Sequence, residues 1–288
     1  MTNKIVLRSA DEFMSDYEPV YQPLYPLFMK NSQAYPQVVG ELNFKRLSAV
    51  GDIRAKRITP KDTHIHQIQV AEGKKTFKKY FDAAQFVQSK FQDQEGNEGV
   101  IREVLDENQK LQDLLFLLGE GTSDSTMLNN GLYWSSDSNY VLETSVEVDK
   151  ASAGYHLPDM HTQIMVTIAK ADQVSGEKVL VLYGADVIAK FDSLYANSDA
   201  PFKRVLAEVA EGWTFVKMPT DVTPSGANGW IAVNLDQIKV NYTVLPSLIS
   251  QGVNEEKMHS WHNFLLGSMM VEVKAKYGII RQPVTFEA

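Results

Sequence analysis

Six histidines are the residues best suited to metal or acid–base chemistry in this chain. His64 and His66 stand two apart in Thr63-His64-Ile65-His66-Gln67-Ile68-Gln69-Val70, a strand-like run that would put both on one face. His259 and His262 stand three apart, the spacing of neighbours on a helix, and His156 and His161 flank Pro158. Such spacings are compatible with a metal-dependent enzyme built on His64, His66, His156 and His161. No carboxylate completes a ligand pattern around them, and ordinary surface or partly buried histidines account for all six. No glycine-rich phosphate loop is present: Gly119-Glu120-Gly121 lacks the third glycine and follows a helix-like run where a strand is required, so it reads as a helix stop. There is no Gly-x-Ser-x-Gly elbow. The pairs Asp106/Glu107 and Glu255/Glu256 are adjacent and diverge on a helix, as solvated faces do. The reading therefore assigns no catalytic, cofactor-binding or metal-ligating residue.

The chain has 288 residues, enough for one large domain or two small ones, and a net charge of −8. Its 44% hydrophobic and 22% charged content is that of a folded globular protein. It has no cysteine, which excludes disulfides, thiol nucleophiles and thiolate-ligated metals. No run approaches the roughly 18 apolar residues of a membrane-spanning helix. Nor does Met1-Thr2-Asn3-Lys4-Ile5-Val6-Leu7-Arg8 resemble a secretory signal, so a soluble chain made in the cytoplasm is expected.

Charge is segregated. Residues 45–90 hold eleven Lys or Arg against four Asp or Glu, a net +7. Residues 93–113 hold seven acids against two bases, a net −5. A basic hairpin beside an acidic helix suits electrostatic docking, with the same helix of a neighbouring subunit as a possible partner. The candidate contact residues are Lys74, Lys75, Lys78 and Lys79 on the hairpin and Glu103, Asp106 and Glu107 on the helix. The same pattern also suits a solvated hairpin, or nucleic-acid binding with Phe77, Tyr80 and Phe81 interleaved.

These features need elements to position them. Residues 1–50, with Pro19, Pro23, Pro26 and Pro36 among tyrosines, read as an irregular arm packed on its own or a neighbour's surface. Residues 51–82 read as a long hairpin turning at Glu72-Gly73-Lys74-Lys75. A helix is expected over 99–118, capped by Asn97 and stopped at Gly119, with Ile101, Val104, Leu105, Leu111, Leu115 and Leu118 as its apolar stripe. Strands are expected over 142–148 and 162–168, then a buried strand at Val179–Tyr183. Two helices follow, with Val187, Ile188, Phe191, Leu194 and Tyr195 on one and Phe202, Val205, Leu206 and Val209 on the other. Strands near 213–218, 229–234 and 238–244 precede a long one from Met269 that ends at Arg281-Gln282-Pro283. The class is mixed α+β, without repeated βαβ units.

This order resembles the Hong Kong 97-type major capsid proteins of tailed bacteriophages. The segments that carry it are Val179-Leu180-Val181-Leu182-Tyr183, the two helices to Glu211, Gly212-Trp213-Thr214-Phe215-Val216 and Gly229-Trp230-Ile231-Ala232-Val233-Asn234, which look like that family's axial domain. Ile238–Leu245 and Met269–Pro283 look like the return into its peripheral domain. The resemblance implies an arm at 1–50, an extended loop at 51–82, a peripheral domain at 83–177 with its spine helix at 99–118, an axial domain at 178–236 and return strands at 237–288. It implies a structural, non-enzymatic subunit that self-assembles as pentamers and hexamers into an icosahedral shell. The expected partners are further copies of itself, a scaffold, a portal and decoration proteins. The shell would enclose double-stranded DNA without reading its sequence, would touch no membrane and would use no cofactor. It would belong to the virion and be assembled in the host cytoplasm. An encapsulin compartment is the alternative within the same fold, although the proline-rich arm is unlike the encapsulin N-terminal helix.

Overall fold

The computed structural model describes residues 20–34, 40–50, 67–77, 81–89, 94–120, 129–134, 146–148, 159–195, 201–245, 247–254, 259–274 and 278–286. After a 3-10 helix at Tyr25–Asn31 come β1 (Ser32–Ala34), β2 (Gly40–Val50), β3 (Gln67–Phe77), β4 (Phe81–Ser89) and helix α1 (Gln94–Leu118). Then follow β5 (Gly119–Glu120), β6 (Asn129–Asn130), β7 (Val146–Val148), α2 (Asp159–Ala171) and β8 (Lys178–Tyr183). Helices α3 (Ala185–Tyr195) and α4 (Pro201–Val209) lead to β9 (Thr214–Lys217), a 3-10 turn at Thr220–Val222, β10 (Gly229–Asn234) and β11 (Ile238–Tyr242). The chain closes with β12 (Ser247–Asn254), β13 (His259–Leu266), β14 (Met269–Val273) and β15 (Ile279–Phe286).

A five-stranded sheet in the order β7-β15-β10-β8-β9 is the centre of the molecule. Both of its faces are covered. Side chains alternate across a strand, so Val179, Val181 and Tyr183 of β8 and Ile231 and Val233 of β10 enter one core. Leu180, Leu182, Trp230 and Ala232, from the same strands, enter the other. The first core is completed by Phe116 and Leu117 of α1, Phe28 of the 3-10 helix, and Val240 and Val271 of the sheet β1-β11-β14. The second is completed by α2, α3 and α4 through Ile164, Ile168, Val187, Tyr195 and Leu206. Strands buried on both faces read as unbroken apolar runs, which is why Val-Leu-Val-Leu-Tyr was legible. Trp230 sits wholly inside and donates its indole N–H to Thr167 Oγ1 at 2.9 Å. Strands β8 and β9 are parallel, so α3 and α4 form the crossover that parallel pairing requires. Gly184 opens that crossover at φ 87°, where a Cβ would strike the Ala227 carbonyl.

Several expectations are corrected. Residues 162–168 belong to α2: Met160, His161, Ile164, Thr167, Ile168 and Ala171 are buried, a helical period that the β-branched residues between them obscured. Gly73 is no turn, because β2 and β3 pair in continuous antiparallel register from Gly40↔Phe77 to Val50↔Gln67. Glu72–Lys75 therefore stand opposite Leu42–Lys45 in mid-strand. His259 and His262 lie on strand β13 and not on a helix. The single long strand expected from Met269 is two strands in different sheets, β14 beside β11 and β15 beside β10, and β15 runs past Pro283 to Phe286. Pro283 is the final partner of β10, opposite Gly229, and from Val284 the strand pairs instead with β7. A residue without an N–H suits that changeover. The expected strand at 142–148 is seen only as β7, its first half lying outside the described residues.

Helix α1 begins five residues earlier than expected, placing Asn97 inside it rather than at its cap, and ends at Gly119 with φ 84°. Its last turn is satisfied from outside: Leu132 and Tyr133 donate their N–H groups to the Phe116 and Leu117 carbonyls, both at 2.8 Å. Arg281 of β15 holds the same segment, donating to the Tyr133 carbonyl at 2.8 Å with its guanidinium 4.6 Å from the Tyr133 ring centre. The buried stripe of α1 also differs from the expected one. Leu111 is 38% exposed, while Asn108, Gln112 and Asp113 are buried beside Leu105, Phe116 and Leu117. In α4 only Leu206 of the expected stripe is buried, and Val205 and Val209 are exposed.

The assignment of α2 gives a direct expectation. Ile164→Ala should cost about 2–5 kcal/mol in denaturant unfolding of dispersed subunits, because it empties a closed site. Val166→Ala, 41% exposed on the far side of the helix, should change stability by less than about 0.5 kcal/mol. Equal costs at both positions would contradict the helical phase.

Candidate subunit-contact surfaces

Of the basic candidates, Lys74 and Lys75 lie on β3, opposite Asn43 and Leu42 of β2. Lys78 and Lys79 lie outside the described residues. The acidic candidates share one face of α1, spaced i, i+3, i+4. Glu103 is exposed. Glu107 pairs with Lys110 at 2.7 Å within the helix. The Asp106 carboxylate accepts the Tyr21 backbone N–H at 3.1 Å, so part of the acidic face already serves the chain's own N-terminal segment.

That segment is anchored by a residue that spacing alone did not single out. Asp113, fully buried on α1, accepts the Tyr21 hydroxyl at 2.6 Å and the Leu24 N–H at 2.7 Å on one oxygen, and the Tyr25 N–H at 2.9 Å on the other. The prolines explain the need. Pro23 and Pro26 interrupt local backbone pairing, and the amides between them require an acceptor from elsewhere. Phe28 then packs on Phe116 with ring centres 5.0 Å apart. Beyond it Lys30 bridges Glu177 and Asp236 at 3.1 Å each, Asn31 donates to the Leu235 carbonyl at 2.8 Å, and β1 adds parallel to β11. Residues 20–34 of the arm thus pack on their own subunit. The available signal was an aspartate opening the greasy run Asp113-Leu114-Leu115-Phe116-Leu117-Leu118.

Burial pushes the Asp113 acid up, although the three donors pull the other way. Burial, aided by the Asp113 charge, also pushes the Tyr25 hydroxyl up to about 12. Asp236 behaves oppositely, because Lys30 holds its carboxyl below the usual range. The signs separate the two ends of the segment. A raised pKa means that the Asp113 contribution is largest in acid and declines as pH rises through its folded value. The lowered pKa of Asp236 means that its contribution is lost as pH falls through its folded value. Acidification should therefore free the Lys30 end first, while the Leu24 and Tyr25 amides stay protected from hydrogen exchange after correction for intrinsic rates. Asp113→Ala strands two backbone donors and a hydroxyl, and should cost about 2–4 kcal/mol with loss of protection at both amides.

Of the histidine set, His64, His66 and His156 lie outside the described residues. His161 is buried on α2, where its Nδ1 meets the Tyr195 hydroxyl of α3 and its ring centre lies 5.0 Å from that of Phe202 of α4. Among the described residues no group of three His, Asp or Glu side chains converges on one point. His161 ties three helices together in its neutral form, and burial lowers its pKa. The stability it contributes is complete above about pH 6.5 and is lost as pH falls through the lower folded value. Unfolding between pH 7 and 5 should therefore be less pH-dependent in His161→Gln than in the parent chain.

No protein-family model matches the sequence, and no curated protein sequence does either. Solved structures do match. The capsid of Myoviridae phage XM1 is 14% identical, with 93% of this chain and 95% of that chain covered and a TM-score of 0.54. A chain from Mycobacterium phage Bobi is 9% identical over 97% and 99%, with a TM-score of 0.55. The capsid structure of cyanophage P-SCSP1u is 8% identical over 100% and 93%, with a TM-score of 0.52. The likeness spans both cores, the β2–β3 ribbon and α1, and at these identities it is a likeness of fold. The chain has the Hong Kong 97-type fold of tailed-phage capsid proteins.

Proposed function

We propose that this chain is a major capsid protein, which assembles from pentamers and hexamers into the icosahedral head that encloses a phage genome. The observation that carries this reading is the extent of the fold match: 93–100% of the chain aligns with single chains of phage structures, two of which are capsids. In this role the protein is structural rather than enzymatic, and it works in the virion after assembly in the host cytoplasm. Its partners are copies of itself, with scaffold, portal and decoration proteins acting on the growing or finished shell. A net charge of −8 suits enclosure of double-stranded DNA without tight, sequence-reading contacts.

Contacts between subunits are proposed where the charge is segregated. The β2–β3 ribbon, with Lys74 and Lys75, lies over a neighbouring subunit and, together with Lys78 and Lys79 that follow it in sequence, meets an acidic α1 face that includes Glu103, Asp106 and Glu107. Glu103 and Glu107 support this best, because Asp106 already holds an amide of its own chain.

The test is expression of the chain with and without co-expressed scaffold, followed by light scattering and electron microscopy. Closed particles are expected. Only discrete subunits of about 32 kDa under both conditions would overturn the reading. Replacing the four lysines with glutamate should reduce particle yield at least about tenfold while leaving the subunit's circular dichroism unchanged.

A further inference from the structure

A groove of about 590 Å3 opens on α1, walled by that helix, by Tyr21 and by Pro219–Val222. Its apolar surface comes from Leu111, Leu114 and Val222, and Leu111 is 38% exposed. Among the described residues, three carboxylates, Glu103, Glu107 and Asp221, line it against one ammonium, Lys110, which already pairs with Glu107. Asn108 supplies the most specific feature. It is only 5% exposed, it lines the groove, and its Nδ2 has no hydrogen-bond partner among the described residues. Buried amide donors are rarely left unpaired. The apolar surface and the carboxylates call for an occupant with apolar side chains and positive charge.

We propose that this groove is the docking site of the chain's own segment Lys4-Ile5-Val6-Leu7-Arg8. The segment sets three apolar residues between two cations, matching an apolar surface beside carboxylates. It is also delivered to the place. The described chain begins at Val20, beside Tyr21, which is itself part of the groove wall. The dozen residues between Arg8 and Tyr21 reach up to about 40 Å, so the tether does not limit access. Tethering also supplies an effective concentration in the millimolar range, so modest contacts suffice. The stretch Arg54-Ala55-Lys56-Arg57-Ile58-Thr59-Pro60-Lys61 carries four cations and one large apolar side chain, and so matches the charge but not the surface, while Lys74–Phe81 belongs to the hairpin proposed to meet a neighbouring subunit. Docking would extend the Asp113 anchor by a second contact on the same helix in the dispersed subunit, where no neighbour's hairpin occupies Glu103 and Glu107.

The absence of cysteine makes the test clean. The full chain carrying Leu7→Cys and Leu111→Cys is oxidised and mapped by peptide mass. An intrachain disulfide is expected, forming at least about tenfold faster than in a control pair of Leu7→Cys with Val209→Cys. Adding Lys4→Glu and Arg8→Glu should slow it about tenfold. Linkage no faster than the control overturns the proposal, and so does linkage between chains, which would assign the groove to another copy's segment. A second measurement covers the case in which the cysteines disturb the site. In the unmodified chain, amides 5–8 should exchange more slowly than in the charge-reversed variant, and equal rates overturn the proposal. Both readouts work on dispersed subunits, so they stand whether or not the chain forms shells.

Discussion

The structure depends on one sheet having both faces buried. Strands β8 and β10 send alternate side chains into two separate cores, and neither core closes without them. On one side α1 and the β1-β11-β14 sheet cover the strands, and on the other α2, α3 and α4 do. A polar residue on either face of β8 would lack a partner, which is why all six of its residues are buried and all but Lys178 lack charge. Lys178 lies at the strand's start, where its ammonium reaches Asp172 at 3.3 Å and the Gly176 carbonyl at 3.0 Å. The sheet thus ties the position of one layer to that of the other.

The link between the arm and α1 follows a different logic. A proline-punctuated segment cannot satisfy its own amides, so acceptors must come from the surface on which it lies. Asp113 and Asp106 supply them, at the expense of placing a carboxyl inside the protein. Burying a carboxylate is unfavourable unless it is well bonded, and three short hydrogen bonds provide that bonding. The same helix therefore carries two populations of acid. One, the buried Asp113 and the half-buried Asp106, holds amides of its own chain, and the other is exposed at Glu103 and Glu107. In the proposed shell role only the second remains available to other segments.

The histidine candidates illustrate how spacing differs from environment. His161 stood in the sequence as one of four ligand candidates, yet on α2 its Nδ1 is engaged by Tyr195 and its ring packs against Phe202. His259 and His262 carried a helical spacing, but they sit on a strand in a three-stranded sheet with β12 and β4. In each case the number of intervening residues was right and the element beneath it was not.

What the sequence by itself determined is the part governed by local period and by glycine. The runs at 179–183 and 229–234, the helix from 185, and the stops at Gly119 and Gly212 were all legible, because burial on both faces, a helical stripe and a positive φ each leave a mark in a few residues. From these the order of elements, and with it the capsid resemblance, could be read. Only the tertiary structure decided the rest. It made 159–171 a helix, since alternating β-branched residues fit both periods until Trp230 and Ile280 supply the surface on which one stripe must lie. It moved the hairpin turn away from Gly73, since strand register is set by the partner strand and not by one permissive residue. It also turned Asp113 from one acid among seven into the anchor of the arm, because its role is defined by amides almost ninety residues away in the chain.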